Sequence, residues 1–299
     1  MSPQKLFRQR GMAVIAALLV VVAASALTTS IIERQGLLAG ILISEGDRSQ
    51  AAWMLRGGLD WSRVVLQMDA DKSPTTRQDG IWSRPIIGLP VGAANDPERA
   101  LLSGQIEDEQ GKYNLRNLAE NARIDPQEVL LLERLLTSLG IDTSLAAAMA
   151  QRIADAQSGK DTGPRAVGLR SIDDLRTLQG VTSQVIGALQ PYVTVLPAAT
   201  TVNANTATAE VLGAVVGELG LAGARELIIQ RDKGLWFTNR ADFVNRLPGR
   251  KLDVERRIGV GSNWFRVTGE VAVGDTMVGL RALLHRSDNG LSSIRWITY

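Results

Sequence analysis

From Met12 to Ile32 the chain runs without a single charged residue, and its heart reads VIAALLVVVAASALTTSII. At about 1.5 Å of rise per helical residue, roughly twenty such residues cross a hydrocarbon layer of about 30 Å. A surface helix of a soluble protein needs a polar face, and this stretch has none. It is therefore expected to span a membrane and to tether everything that follows. Lys5, Arg8 and Arg10 precede it, and Glu33 and Arg34 follow. The short basic flank predicts an N-terminus that stays cytoplasmic and a chain that lies across the membrane.

The remaining composition narrows the possible functions. A sequence pI of 9.1 suggests affinity for nucleic acid. Yet three of the 33 Lys and Arg residues sit in residues 1–11, which contain none of the 31 Asp and Glu. Without them 30 basic groups face 31 acidic ones, a net of −1, so the basic character belongs largely to the leader. There is no cysteine, which excludes disulfides and thiolate metal sites.

A secretory signal has an apolar core of about 7–15 residues followed by a small-residue cleavage site. Here the run is longer, and the candidate processing point, Arg10-Gly11-Met12, lies ahead of it. This order resembles the leader of type IV pilins and type II secretion pseudopilins. The resemblance implies cleavage by prepilin peptidase after Gly11 and methylation of the new amine on Met12. Most members carry Glu five residues into the mature chain, whereas this chain has Ala16. A lone carboxylate at membrane depth costs about 2.5–3.5 kcal/mol unless paired, in pilins with a neighbouring subunit's amine. Among pseudopilins, the minor pseudopilin K family characteristically lacks it.

Beyond the span, a helical pattern continues to about Met68, with Leu38, Leu42, Ala52, Leu55, Leu59, Val65 and Leu66 available to one side. Trp53 and Trp61 are expected to contact a sheet. Residues 69–97 read as loop with short extended pieces. Within them Trp82-Ser83-Arg84-Pro85 resembles the W-x-R-P element of the K subunits. Residues 100–115 read as a β-hairpin turning near Gln110-Gly111, with Glu107 to Glu109 solvated. From Asp108 the sequence resembles the D-x-x-G-K-x-N-L-N-x-L box of the same family.

Residues 125–247 change to short helices with an internal period. Gly140, Gly180 and Gly220 are forty positions apart, each between two apolar segments. Asp125-Pro126 and Ser171 to Asp174 read as helix starts, and Asn205-Thr206 as the N-cap before Glu210. This is a helix-hairpin-helix, or SAM-like, pattern. Apart from Arg225, Arg231 and Lys233 no hairpin carries a dense basic rim, so a scaffold is expected and not a nucleic-acid site. Residues Asn203 to Leu212 resemble the N-x-N-T-A-x-x-E-V-L box of the K subunits, in which two SAM-like domains are inserted into a pilin fold. Family members bind calcium in this insert. Here the corresponding stretch retains Asp155 and Asp161, and calcium prefers six to eight oxygens. The resemblance thus makes these two the calcium candidates, at a site expected to be weakened or lost.

Residues 263–273, 276–286 and 291–298 alternate as three antiparallel strands, with turns at Gly274-Asp275 and Asn289-Gly290. His285 is the only histidine, and no nucleophile, phosphate-loop or zinc motif accompanies it. No enzyme is expected.

The expectation is an α+β, pilin-like fold: a long N-terminal transmembrane and spine helix packed on an antiparallel sheet, with an inserted all-α region. Its parts are a leader (1–11), a transmembrane segment (12–32), the outer spine (33–68) and the first part of the β domain (69–118). Two SAM-like domains (119–200 and 201–260) and closing strands (261–299) follow. Resemblance to minor pseudopilin K implies a non-enzymatic subunit at the tip of a pseudopilus that helps start assembly for export of folded proteins. Its implied partners are minor pseudopilins of the I and J types, the major pseudopilin, prepilin peptidase, secreted exoproteins and the bacterial inner membrane, with the soluble part periplasmic. Two readings remain beside it: a DNA-binding minor pilin of a type IV or competence pilus, and a membrane-anchored periplasmic binding module.

Overall fold

The computed structural model describes residues 4–159, 163–248, 254–287 and 290–299, with the side chains of 4–11 and 255 not described. The chain folds as two units. One comprises Met1–Met54, Pro90–Leu101 and Val271–Val278; the other comprises Leu55–Leu89, Leu102–Glu270 and Gly279–Tyr299.

Helix α1 runs from Gln4 to Lys72, four residues past the expected end. In the first unit, Asp47 on α1 pairs with Arg99 at 3.0 Å, and the Gly274 amide donates to the Arg99 carbonyl. In the second unit, α1 from Leu55 onward is amphipathic: Leu55, Leu59, Val65 and Leu66 are buried. A Cβ on Gly58 would meet Leu102, and one on Gly269 would lie 3.1 Å from Leu55. Gly269 lets helix and sheet approach closely, whereas a Cβ at Gly58 would be in ordinary contact. Trp53 and Trp61 are not buried against the sheet: they are 73% and 48% exposed. At 3.6 residues per turn they fall away from the Leu55 and Leu59 stripe. Trp82 is buried instead and meets Phe265 edge-on at 5.6 Å.

The five-stranded sheet has order β1-β2-β9-β10-β11, with β1 Ile86–Pro90, β2 Ala100–Asp108, β9 Trp264–Val273, β10 Thr276–His285 and β11 Ser293–Thr298. The three C-terminal strands form the expected meander, with β11 antiparallel to β10. Gly274 supplies the first turn at φ 54. In the second turn Asn289 lies outside the described residues.

The expected hairpin over 100–115 does not form. Strand β2 ends at Asp108, a 3₁₀ turn covers Glu109–Gly111, and β3 (Tyr113–Asn114) pairs in parallel with β6 (Val193–Thr194). The Asn114 side chain explains the change of partner. Its amide donates to the Ala198 carbonyl and the Thr200 hydroxyl, while its oxygen accepts from the Arg116 and Leu196 amides.

The insert consists of a β4–β5 hairpin (Ala119–Glu120 and Arg123–Ile124) and helices α2 (Pro126–Ser138), α3 (Leu145–Asp155) and α4 (Ser183–Leu189). Strand β7 (Val202–Asn203), helices α5 (Ala209–Val215), α6 (Gly220–Asp232) and α7 (Arg240–Asn245), and β8 (Ile258–Gly259) complete it. The periodic glycines all have positive φ, at 68, 87 and 61 for Gly140, Gly180 and Gly220. After α2 the Ile141 amide reaches back to the Leu136 carbonyl and the Gly140 amide to that of Thr137, which closes the helix end as a Schellman turn. Asp125 caps α2, and Ser171 with Asp174 forms a capping box as expected. The cap of α5 is Thr208 and not Asn205-Thr206, whose side chains are buried and bonded elsewhere. One cluster of buried side chains extends from Tyr113 to Ile258 and includes Leu132, Leu136, Met149, Leu175, Leu212 and Phe243.

Candidate functional site

Two places bear on function: the outward face of α1 and a buried polar joint. Along Met12–Ile32 the side chains are exposed, and the most apolar window of the helix has a mean hydropathy of 2.4 with none of it buried. Two of the four hydroxyls in this stretch are satisfied within the helix: Thr28 donates to the Ala24 carbonyl and Thr29 to that of Ser25. Met12 presents its side chain outward, as does Ala16. The side chains around Gly11 lie outside the described residues.

The joint centres on Asp108, at the end of β2. One carboxylate oxygen accepts from Asn203 Nδ2 at 2.9 Å, Thr206 Oγ1 at 2.5 Å and Ser262 Oγ at 2.6 Å, and the other accepts from the Gln110 amide. Asn203 also donates to the Thr76 carbonyl. Arg286 extends the network: it donates to Thr76 Oγ1 and the Ser262 carbonyl at 2.6 Å each, and reaches Leu66 O and Asp69 on α1. Its guanidinium lies over the Phe265 ring. Beside it the Glu109 carboxylate, fully buried, holds Lys112, Arg266 and Thr194. Asn205 grips the Phe237 backbone with both ends of its amide. Gly111 is required here because a Cβ would press on Thr206. The stretch expected to be solvated, Glu107 to Glu109, is therefore the polar centre of the fold at its second and third residues.

Burial raises the pKa of Asp108 against the lowering effect of its hydrogen bonds from Ser262, Thr206, Asn203 and Gln110. Burial likewise lowers the Arg286 pKa, opposed by Asp69 and Asp108. Burial and the neighbouring Glu128 carboxylate push the Tyr113 hydroxyl, which donates to Glu128, well above its ordinary value. A buried network of this kind gives a unique arrangement because every donor removed leaves an unsatisfied partner. It fastens the insert to the sheet and to α1 within one unit.

Of the hairpin cations, Arg231 is turned inward and donates to the carbonyls of Ala204 and Ala207. Arg225 lies 3.9 Å from Glu210. His285 packs against the Trp264 ring. Asp155 ends α3 with its carboxylate on Gln151, and Asp161 lies outside the described residues. Among the described residues no group of three His, Asp or Glu side chains could hold a metal.

A long N-terminal helix, apolar enough to cross a membrane, continuing onto an antiparallel sheet with a helical insert locked in by a polar joint, is an α+β fold of the pilin-like class. Residues 111–198 and 202–261 match two family descriptions that both read type II secretion system (T2SS), protein K. The chain is 30% identical to the type II secretion system protein K of Pectobacterium carotovorum subsp. carotovorum, over 94% of this chain and 93% of that one. It is 26% identical to the protein of the same name from Pseudomonas aeruginosa, over 94% and 90%. In fold it is similar to a chain in the crystal structure of the GspK-GspI-GspJ complex from the enterotoxigenic Escherichia coli type 2 secretion system. That match has a TM-score of 0.65 at 17% identity and covers 85% of this chain and 97% of the other. The chain belongs to the type II secretion system protein K family.

Proposed function

We propose that this protein is a non-enzymatic minor pseudopilin that caps the tip of the pseudopilus and helps initiate its assembly for export of folded proteins. The observation that carries this reading is the uncharged helix from Met12 to Ile32, with Ala16 where pilin-type subunits place a carboxylate. That carboxylate is useful only when a neighbour's amine neutralises it. A terminal subunit has no neighbour above and no need of it. The insert adds bulk that would block another subunit from stacking on this one. Prepilin peptidase would cut between Gly11 and Met12, leaving a single-pass inner-membrane protein with residues 33–299 periplasmic. The segmentation at 119–200 and 201–260 would make the insert two SAM-like modules. Its partners would be minor pseudopilins of the I and J types, in keeping with the named complex of the structural relative, with the major pseudopilin below and exoproteins as cargo.

Mass spectrometry of the membrane-extracted protein tests the reading. The expected N-terminus is a methylated Met12, and co-extraction should bring down I- and J-type subunits. An intact Gly11-Met12 bond would favour a plain membrane-anchored binding module. Restoring the carboxylate with Ala16→Glu is expected to leave secretion unimproved, and a clear gain would contradict placement at the tip.

A further inference from the structure

The joint between the end of α3 and the β4–β5 hairpin occupies the part of the insert that holds the calcium candidate Asp155. The described residues there do not fit a cation. Hard cations of this kind need six to eight free oxygens, several of them anionic. The backbone oxygen of Asp155 already accepts from the Arg165 and Ala166 amides, at 2.7 and 2.9 Å, which uses both lone pairs. Its carboxylate accepts from Gln151. The Ala119 carbonyl accepts from Arg116 at 2.7 Å and from Gln157 Nε2 at 2.8 Å. The Val167 carbonyl is taken by the Arg152 guanidinium at 2.7 Å, so a positive charge already stands at this end of the helix.

What holds the joint is visible in the same bonds. Asn121 and Ala122 turn the hairpin with φ values of 52 and 62, a left-handed pair that costs a non-glycine residue roughly 1 kcal/mol or more at Ala122. Gln157 is 9% exposed, and its side-chain oxygen accepts from the Ala122 amide while its nitrogen grips the Ala119 carbonyl. One amide side chain thereby ties the strained turn to the helix terminus, with both of its polar ends used. A carboxylate could not replace it, because a second oxygen would face the Ala119 carbonyl.

We infer that this insert is independent of calcium, and that Gln157 acts as a hydrogen-bonded clasp fastening the α3 terminus to the 119–124 hairpin. The inference stands apart from tip placement, since it concerns only the insert's own residues. Thermal melting of the detergent-solubilised full chain tests it, in 1 mM calcium chloride and in EDTA. The native protein should melt at the same temperature in both buffers, within about 1 °C. Gln157→Ala should melt about 3–8 °C lower, equally in both, as expected for buried amide groups left without partners. Gln157→Glu keeps the Ala122 bond and opposes the Ala119 carbonyl, so it too should melt lower in both buffers. A calcium-dependent rise of several degrees in the native protein or in either variant would overturn the metal independence. An unchanged melting temperature for Gln157→Ala would overturn the clasp.

Discussion

Helix α1 contains two stretches that share a secondary structure and little else. From Met12 to Ile32 the side chains point outward and no charge interrupts them, whereas from Leu55 to Lys72 one stripe is buried, Arg56, Asp60 and Arg63 flank it, and Trp61, Val64 and Met68 face away from it. The first stretch is matched to an apolar solvent and gains nothing from contacts within the chain. The second is matched to a sheet on one side and water on the other, so its stability comes from packing. Helix formation alone therefore says little about what holds a segment in place.

The same substitution in each stretch should separate these cases. Leu59 is 1% exposed, and Leu59→Ala should destabilise the soluble region by about 2–5 kcal/mol through lost burial and a residual cavity. Leu18 is exposed, and Leu18→Ala should leave unfolding of the soluble region unchanged. Denaturant unfolding of the detergent-solubilised chain measures both. Equal losses would mean that the first stretch also depends on contacts within the chain.

A polar counterpart to Leu59 is Asp108, buried in the same unit. Asp108→Ala strands the donors of Asn203, Thr206 and Ser262 and should cost about 1–3 kcal/mol. The pH dependence follows from the raised pKa. The folded chain holds the Asp108 proton at pH values where the unfolded chain has released it. Stability therefore falls as pH rises from the ordinary value of 3.8 through the raised value, and it recovers on acidification. Asp69 is raised by burial as well and contributes a slope of the same sign. Asp108→Asn should reduce the slope without abolishing it, and an unchanged slope would place the titration elsewhere.

Much of this architecture can be read from local chemistry. The uncharged run, the glycines at positions 140, 180 and 220, the caps at Asp125 and Ser171 and the alternating C-terminal strands each depend on neighbours close in sequence. The polar joint does not. Asp108, Asn203, Thr206, Ser262 and Arg286 are far apart in the chain, and each alone is an ordinary turn or surface residue. Only their convergence makes Asp108 and Glu109 interior residues and draws Asn205-Thr206 away from capping α5. The two boxes that hold these residues were legible as motifs, but their physical role depended on long-range pairing. Gln157 was missed for the same reason, since its partners at Ala119 and Ala122 belong to a hairpin before α2.

The smallest expected effect bears most directly on how α1 is oriented. Periodicity permitted Trp61 to join the core, and a large aromatic residue on a half-buried helix ordinarily does so. A buried indole would lose about 3–5 kcal/mol on truncation to alanine, because the removed ring leaves a cavity. At 48% exposure, on the same outward side as Val64 and Met68, Trp61 leaves no such cavity. Trp61→Ala should therefore change stability by less than about 0.5 kcal/mol, as for ordinary surface positions. Measured beside Leu59→Ala, two residues away, it reports the rotation of the helix about its own axis. A loss above about 2 kcal/mol would turn the indole toward the sheet and displace the Leu55 and Leu59 stripe from it.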